Sequence, residues 1–323
     1  MTKALTAANA AQVTTVETFG GNLIERFVKF AGVSESSRLT YAKSLRQLFA
    51  FFNANSITRP TRENLIDWLD GMKASNKSAS TVQLYLTSAK IFFRWLNQEG
   101  LYPNIADNLK SGLKPNHNHK KDALSTEECA KLIKSVKAIS LKTQKRNEEM
   151  ELRDRAILSL MTTAGLRTVE VVRANVADIR FERGKRFLYV QGKGHADADE
   201  KILLANQTYA AINAYLKVRK AISSSEPLFV STSRSNKGAR LDTQTIRKMV
   251  KKQLRSIGLD SPRLTAHSLR HATATNLIFA GVELPKVQKV LRHRALNTTM
   301  IYANAFERFN NNSEQILADL IFS

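Results

Sequence analysis

Apolar residues recur at three- and four-residue spacing through the first hundred positions, which commits this stretch to amphipathic helices packed on one another. Leu23, Phe27 and Phe30 mark a short first helix. Tyr41, Leu45, Leu48, Phe49 and Phe52 mark a second, with Ser34 and Ser37 as candidate caps. A third, over residues 61–72, carries Leu65, Trp68 and Leu69. The fourth carries Tyr85, Ala89, Phe92, Phe93 and Leu96, and Gly100 stops it. Between these stripes lie Arg38, Lys43, Arg46, Lys77, Lys90 and Arg94. With the opposite face buried they are expected to point outward, as candidate phosphate contacts or as a merely solvated basic face.

Residues 115–121 (Pro-Asn-His-Asn-His-Lys-Lys) break the pattern: they are polar, basic and unperiodic. The expected organisation is a flexible start at 1–13, a helical domain at 14–112, a linker at 113–122 and a second domain at 123–323. His117 and His119 read as loop residues, because no further metal-ligand types stand nearby. Ser125-Thr-Glu-Glu128 is a capping box opening a helix through Leu132, Ile133 and Val136. Ala156, Ile157, Leu160, Met161 and Ala164 make a buried helix that ends near Gly165. Short strands are expected at 176–180, 187–191 and 201–204, with Gly192-Lys193-Gly194 in the turn between the last two. Helices resume at 207–221, 243–257, 268–280 and 285–291, and Asn297 is placed to cap a short helix containing Tyr302. The fold class is mainly α: a helical domain followed by an α+β domain with a small antiparallel sheet.

Charge narrows the partner. Fifty Lys and Arg face 28 Asp and Glu, a net +22 that calls for a polyanion. Basic residues are spread along the chain rather than gathered on one amphipathic helix, which favours nucleic acid over membrane. A basic ribosome-associated or storage protein is the bland alternative. No apolar run reaches the roughly 20 residues of a membrane span, and no secretory signal is expected at the start. The single cysteine, Cys129, fits a reducing cytoplasm.

Six polar residues fall at element ends or turns of the second domain: Arg167, Lys193, His267, Arg270, His293 and Tyr302. Together they suit a phosphodiester that gains negative charge in a pentacoordinate transition state. Arginine spans two non-bridging oxygens with a planar fork. A phenol ordinarily ionises near ~10, and a basic pocket would favour its anion as nucleophile. Taken singly, each residue has a plainer reading: a half-buried helix tyrosine, surface ion pairs, a structural histidine, a hairpin lysine. Lys185, Lys201 and His195 compete with Lys193 for its role, and His271 reads as structural.

Thr-Ala-Gly-Leu-Arg167-Thr-Val-Glu170, His267-Ser-Leu-Arg270-His271, Leu291-Arg-His293 and Tyr302 nine residues on resemble, in order, the boxes of the tyrosine recombinase (phage-type integrase) family. Gly-Lys193-Gly resembles its lysine turn, and the segment from Ser34 to Tyr41 resembles its helical, SAM-like core-binding domain. The resemblance implies Tyr302 as nucleophile, leaving a 3′-phosphotyrosine and a free 5′-hydroxyl. Arg167, Arg270 and His293 would hold the scissile phosphate, Lys193 would protonate the leaving oxygen, and His267 would give acid–base support. Glu170 would steady Arg167. No metal and no nucleotide cofactor are implied. The implied partners are a double-stranded DNA site and three further copies, as a tetramer on two sites from a chain that is a monomer when free. Ile316, Leu317, Leu320 and Ile321 form one apolar stripe, to be docked on the chain's own domain or on a neighbouring copy.

The family's terminal box usually has glycine where this chain has Arg292, so a positive φ there would strain the turn before His293. No arm-binding domain is read ahead of Thr14, which points to a simple two-domain enzyme. Integration or excision of a mobile element is the favoured role, on no decisive residue. Chromosome-dimer resolution, a type IB topoisomerase-like activity and a catalytically silent DNA-binding regulator are the alternatives.

Overall fold

The computed structural model describes residues 21–113, 122–136, 144–192, 197–219, 223–293, 299–300, 302 and 311–322. The expectations for residues 1–13, for most of the linker (His117 and His119 included) and for Lys193, His195 and Asn297 lie outside the described residues. Contacts divide the chain into two compact units, Met1–Asn118 and His119–Ser323.

In the first unit α1 (Gly21–Phe30), α2 (Glu35–Ala54), α3 (Arg62–Ala74) and α4 (Ala79–Gln98) share one core. Each of the last three begins at a hydroxyl cap. Ser34 accepts from the Ser37 N–H, Thr61 from Asn64 and Ser78 from Thr81, satisfying donors that a first helical turn leaves open. At the centre Phe92 meets Phe27, Phe93 and Phe49 edge-on at 5.3, 5.5 and 5.6 Å between ring centroids. Burial of such side chains contributes about 1.5–3 kcal/mol each. Phe30 departs from expectation: it sits at the end of α1 and is 66% exposed, and Ile24 fills the core instead. Arg38, Lys43, Arg46, Lys77 and Arg94 are exposed, and Lys90 is half-buried.

The second unit is helical around a small sheet. α5 (Thr126–Lys134) starts at the Ser125/Glu128 capping box. Next come α6 (Gln144–Thr163) and the short α7 (Thr168–Arg173). Strands β1 (Ile179–Glu182), β2 (Lys185–Val190) and β3 (Glu200–Leu203) form an antiparallel sheet in that order, with Glu182 opposite Lys185 and Leu188 opposite Ile202. The first strand starts later than 176. The Asp178 carboxylate accepts from the Asn175 N–H at 2.7 Å and closes Val176–Asp178 into a 3-10 turn. β1 then turns into β2 through Arg183 and Gly184, both at positive φ as a two-residue hairpin requires.

Four helices complete the described core of the second unit: α8 (Asn206–Arg219), α9 (Thr243–Ser256), α10 (Ala266–Phe279) and α11 (Leu284–Leu291). The apolar face of α6, from Ala156 to Met161, is fully buried in it. After α6 the chain turns at Gly165, φ +61°, where a Cβ would lie 2.8 Å from Leu291 Cδ2. Only glycine suits that position. A last helix, α12 (Ser313–Phe322), buries no residue, and Ile316, Leu317, Leu320, Ile321 and Phe322 are 57–86% exposed.

Candidate active site

Arg167 occupies the N-cap position of α7, and the helix itself fixes its partner. Glu170, one turn on, accepts the Arg167 backbone N–H on Oε2 at 2.8 Å and the Arg167 Nη1 on Oε1 at 2.6 Å. Glu170 is fully buried, so it relies on these donors for its charge. Burial alone would raise its pKa. The charge of Arg292, the Arg167 N–H and the Arg167 charge outweigh that and hold it below the usual carboxylate range.

Arg270 and His271 come from the middle of α10, and Arg270 is 2% exposed. Its Nη1 donates to the Gly165 carbonyl at 2.6 Å and its Nη2 to the Leu291 carbonyl. The guanidinium therefore pins the turn after α6 to the end of α11. Burial, then the charges of Arg167 and Arg292, push it down to about 9.

His267, at the exposed start of α10, lines a cavity of about 490 Å³ together with Arg167, Thr168, Thr243, Arg247 and Thr265. Its ring meets His271 edge-on at 4.5 Å. His293 follows α11, with Nδ1 2.8 Å from the hydroxyl of the buried Thr299. Burial first, then Arg270, Arg167 and Arg292, push it down to about 4, so it is neutral at neutral pH.

Tyr302 is 6% exposed and packs against Ala274, Ile278, Val287 and Leu291. Its hydroxyl shares a hydrogen bond with His271 Nδ1. This adds a partner and corrects one expectation. His271, expected to be structural, is buried and is a direct partner of Tyr302, a contact the sequence did not reveal. The basic surroundings also do not favour the phenolate here: burial pushes Tyr302 up to about 12, and the opposing pull of Arg270 is smaller.

Five of the six residues singled out from sequence, Arg167, His267, Arg270, His293 and Tyr302, thus converge with Glu170 at the junction of α7, α10 and α11. Lys193 lies outside the described residues. Of its competitors, Lys201 donates to Glu182 Oε2 at 3.0 Å and lies over the Phe187 ring, whereas Lys185 is exposed at the start of β2. Sequence reasoning missed Arg247, which faces the cavity from α9; its place in the polar face of an amphipathic helix was the available signal. Among the described residues no group of three or more His, Cys, Asp or Glu side chains is arranged to hold a metal ion, and no helix is long and apolar enough to cross a membrane.

Residues 123–308 match the model of the phage integrase family, and residues 24–100 match the phage integrase N-terminal SAM-like domain. The chain belongs to the phage integrase family of tyrosine recombinases. It is 30% identical over 286 residues to the tyrosine recombinase XerA of Pyrococcus horikoshii, covering 88% of this chain and 90% of that one. It is 28% identical to the tyrosine recombinase XerC of Thermodesulfovibrio yellowstonii, over 84% of this chain and 87% of that one. Its fold is similar to XerH recombinase bound to a palindromic difH substrate after cleavage, with TM-score 0.70, 21% identity, and 88% and 80% of the two chains covered. It is also similar to a lambda integrase tetramer bound to a Holliday junction, with TM-score 0.63, 17% identity, and 93% and 81% covered. As a tyrosine recombinase it is a site-specific DNA-recombining enzyme.

Proposed function

We propose that this recombinase cleaves and rejoins duplex DNA through a 3′-phosphotyrosine bond to Tyr302, in the integration or excision of a mobile element. The observation that carries the reading is the convergence of Arg167, Arg270, His293 and His267 beside a single buried tyrosine. Guanidinium groups facing the phosphate stabilise the charge that grows on its non-bridging oxygens. In the tautomer in which Nδ1 accepts from Thr299, neutral His293 has an N–H on its other nitrogen for the same phosphate. Tyr302, a neutral phenol at rest, passes its proton to the His271/His267 imidazole pair that holds its hydroxyl as its oxygen bonds to phosphorus, while the bond from phosphorus to the 5′-oxygen breaks and Lys193 donates a proton to that leaving oxygen. The phosphotyrosine bond conserves the ester's energy, so rejoining by the 5′-hydroxyl reverses the step without a nucleotide or other cofactor. Outward-facing Arg38, Lys43, Arg46, Lys77 and Arg94 add contacts to the DNA backbone, and Lys90 flanks them.

Four copies on two sites carry out the exchange, in the cytoplasm where the DNA is. A second reading, resolution of chromosome dimers, is favoured by the match to XerA and XerC proteins through both units of the chain. The test uses a nicked suicide duplex, isolated from a randomised library by covalent capture on the wild-type protein. Tyr302→Phe is expected to bind that duplex with unchanged affinity and form no covalent complex. Covalent product from the Phe variant would overturn the assignment. Sequencing the DNA captured from the source cells separates the two contexts, by junctions at the ends of an element or at one chromosomal locus.

A further inference from the structure

Arg292 stands where the family's usual glycine would, and its backbone adopts the conformation that glycine favours: φ +56°, ψ +49°, at the end of α11. An arginine in the left-handed region is disfavoured unless its side chain contributes something glycine lacks. The side chain is 5% exposed and runs inward. Nη2 donates to Glu170 Oε2 at 2.8 Å and Nη1 to the Val290 carbonyl at 2.6 Å. Nε faces Glu200 Oε2 at 3.5 Å, an ion pair without hydrogen-bond geometry. Buried this way, Arg292 cannot serve as a surface contact for the DNA backbone.

The oxygen it reaches is shared. Glu170 Oε2 also accepts the Arg167 N–H, while Oε1 carries the Arg167 guanidinium. One carboxylate therefore serves two guanidinium groups, and neither is fully neutralised. Arg167, Arg270 and Arg292 against Glu170 and Glu200 leave one positive charge in excess at this junction, and without Arg292 that excess is gone. A phosphodiester already carries one negative charge and gains more in the transition state, so an Arg167 left less neutralised by Glu170 holds it more strongly where the charge grows.

We infer that Arg292 is a positioning residue for the cleavage step: by holding and part-neutralising Glu170, it sets the place and the effective charge of Arg167. This rests on the proposed phosphotyrosine reaction. Arg292 touches no substrate and works through Glu170 and Arg167. It replaces a backbone convenience of the glycine with an electrostatic link from the terminal box to the first arginine box.

The test is a double-mutant cycle on single-turnover cleavage of the selected suicide duplex, with DNA affinity measured beside it at one salt concentration. Arg292→Gly, which suits the positive φ, is expected to leave affinity within about threefold. Its cleavage rate should fall by about 10–100-fold, by analogy with the loss seen when the partners that orient a metal site's ligands are removed. In an Arg167→Ala background the same substitution is expected to cost nothing further, because its effect passes through Arg167. If Arg292→Gly does not fold, Arg292→Met keeps the packing of the stem and takes its place in the cycle. Full additivity of the two substitutions, or a loss confined to DNA affinity, would overturn the role. Absence of covalent complex from the wild type would instead overturn the proposed reaction, and the role with it.

Discussion

The Tyr302 hydroxyl and His271 Nδ1 are hydrogen-bonded to each other in a buried contact, one turn along α10 from the exposed His267. The pair joins the candidate nucleophile to the helix that also carries Arg270. A phenol at about 12 is protonated at any physiological pH, so the hydroxyl has to be paired while it is buried. His271→Leu removes that pairing and should lower stability by about 1–3 kcal/mol. Tyr302→Phe should cost a similar amount, by leaving the imidazole with one contact fewer. The double variant His271→Leu/Tyr302→Phe is expected to be more stable than the sum of the two losses. Thermal or urea unfolding of the four proteins measures this, and strict additivity would show that the contact carries no energy.

Much of this site was legible because its logic is local. Glu170 lies three residues from Arg167 and caps the helix that Arg167 begins, so the box whose resemblance implied its role holds both partners within one turn. The apolar helices of the first unit were legible for the same reason, since burial follows the 3.6-residue period. What escaped depends on distance. His271 meets a partner 31 residues away, and Arg292 one 122 residues away. The pKa of Tyr302 turns on how deeply the folded chain buries it, which the count of nearby cations does not reveal. The late start of β1 is a local competition: Asp178 bonding back to Asn175 overrides the strand preference of Val176. The Arg183–Gly184 turn was missed because arginine is uncommon at positive φ, as it is again at Arg292.

Gly165→Ala tests how Arg270 is held. The added methyl would be strained by φ +61° and would press on Leu291 Cδ2, while the carbonyl of the same residue accepts from Arg270 Nη1. The backbone conflict alone costs about 1–2 kcal/mol. Cleavage should fall by at least ~10²-fold, the scale of a lost oxyanion donor, because the guanidinium moves with the carbonyl. Melting temperature and suicide-duplex cleavage report the two effects. Normal cleavage from a destabilised variant would show that Arg270 is placed by other contacts.

His293 predicts an acid-side stability loss of defined sign. Its pKa is depressed to about 4 in the folded chain from an ordinary 6.5, so across that window the unfolded chain binds more protons. Stability is therefore retained above about pH 6.5 and lost as pH falls toward about 4. The cause is burial among Arg270, Arg167 and Arg292, none of which tolerates a further cation. His293→Gln removes the titrating group. Its melting temperature should fall less steeply than the wild type's over this window, and parallel curves would show that His293 gains its proton at little cost.

The last prediction concerns α12. Its apolar side chains, Ile316, Leu317, Leu320, Ile321 and Phe322, are more than half exposed, and none belongs to the core clusters of the second unit. Were they docked on their own domain, each would contribute about 1.5–3 kcal/mol to the monomer. Their exposure instead suits a surface completed by a second copy. Deleting residues 315–323 is therefore expected to leave the melting temperature nearly unchanged and binding to a single half-site intact. Cooperative binding to a full site, and exchange between two sites, should be lost. All affinities must be compared at one salt concentration, because each released counterion changes them. A large fall in melting temperature with cooperativity preserved would assign the helix to its own domain, and assembly on DNA would then have to rest on other surfaces.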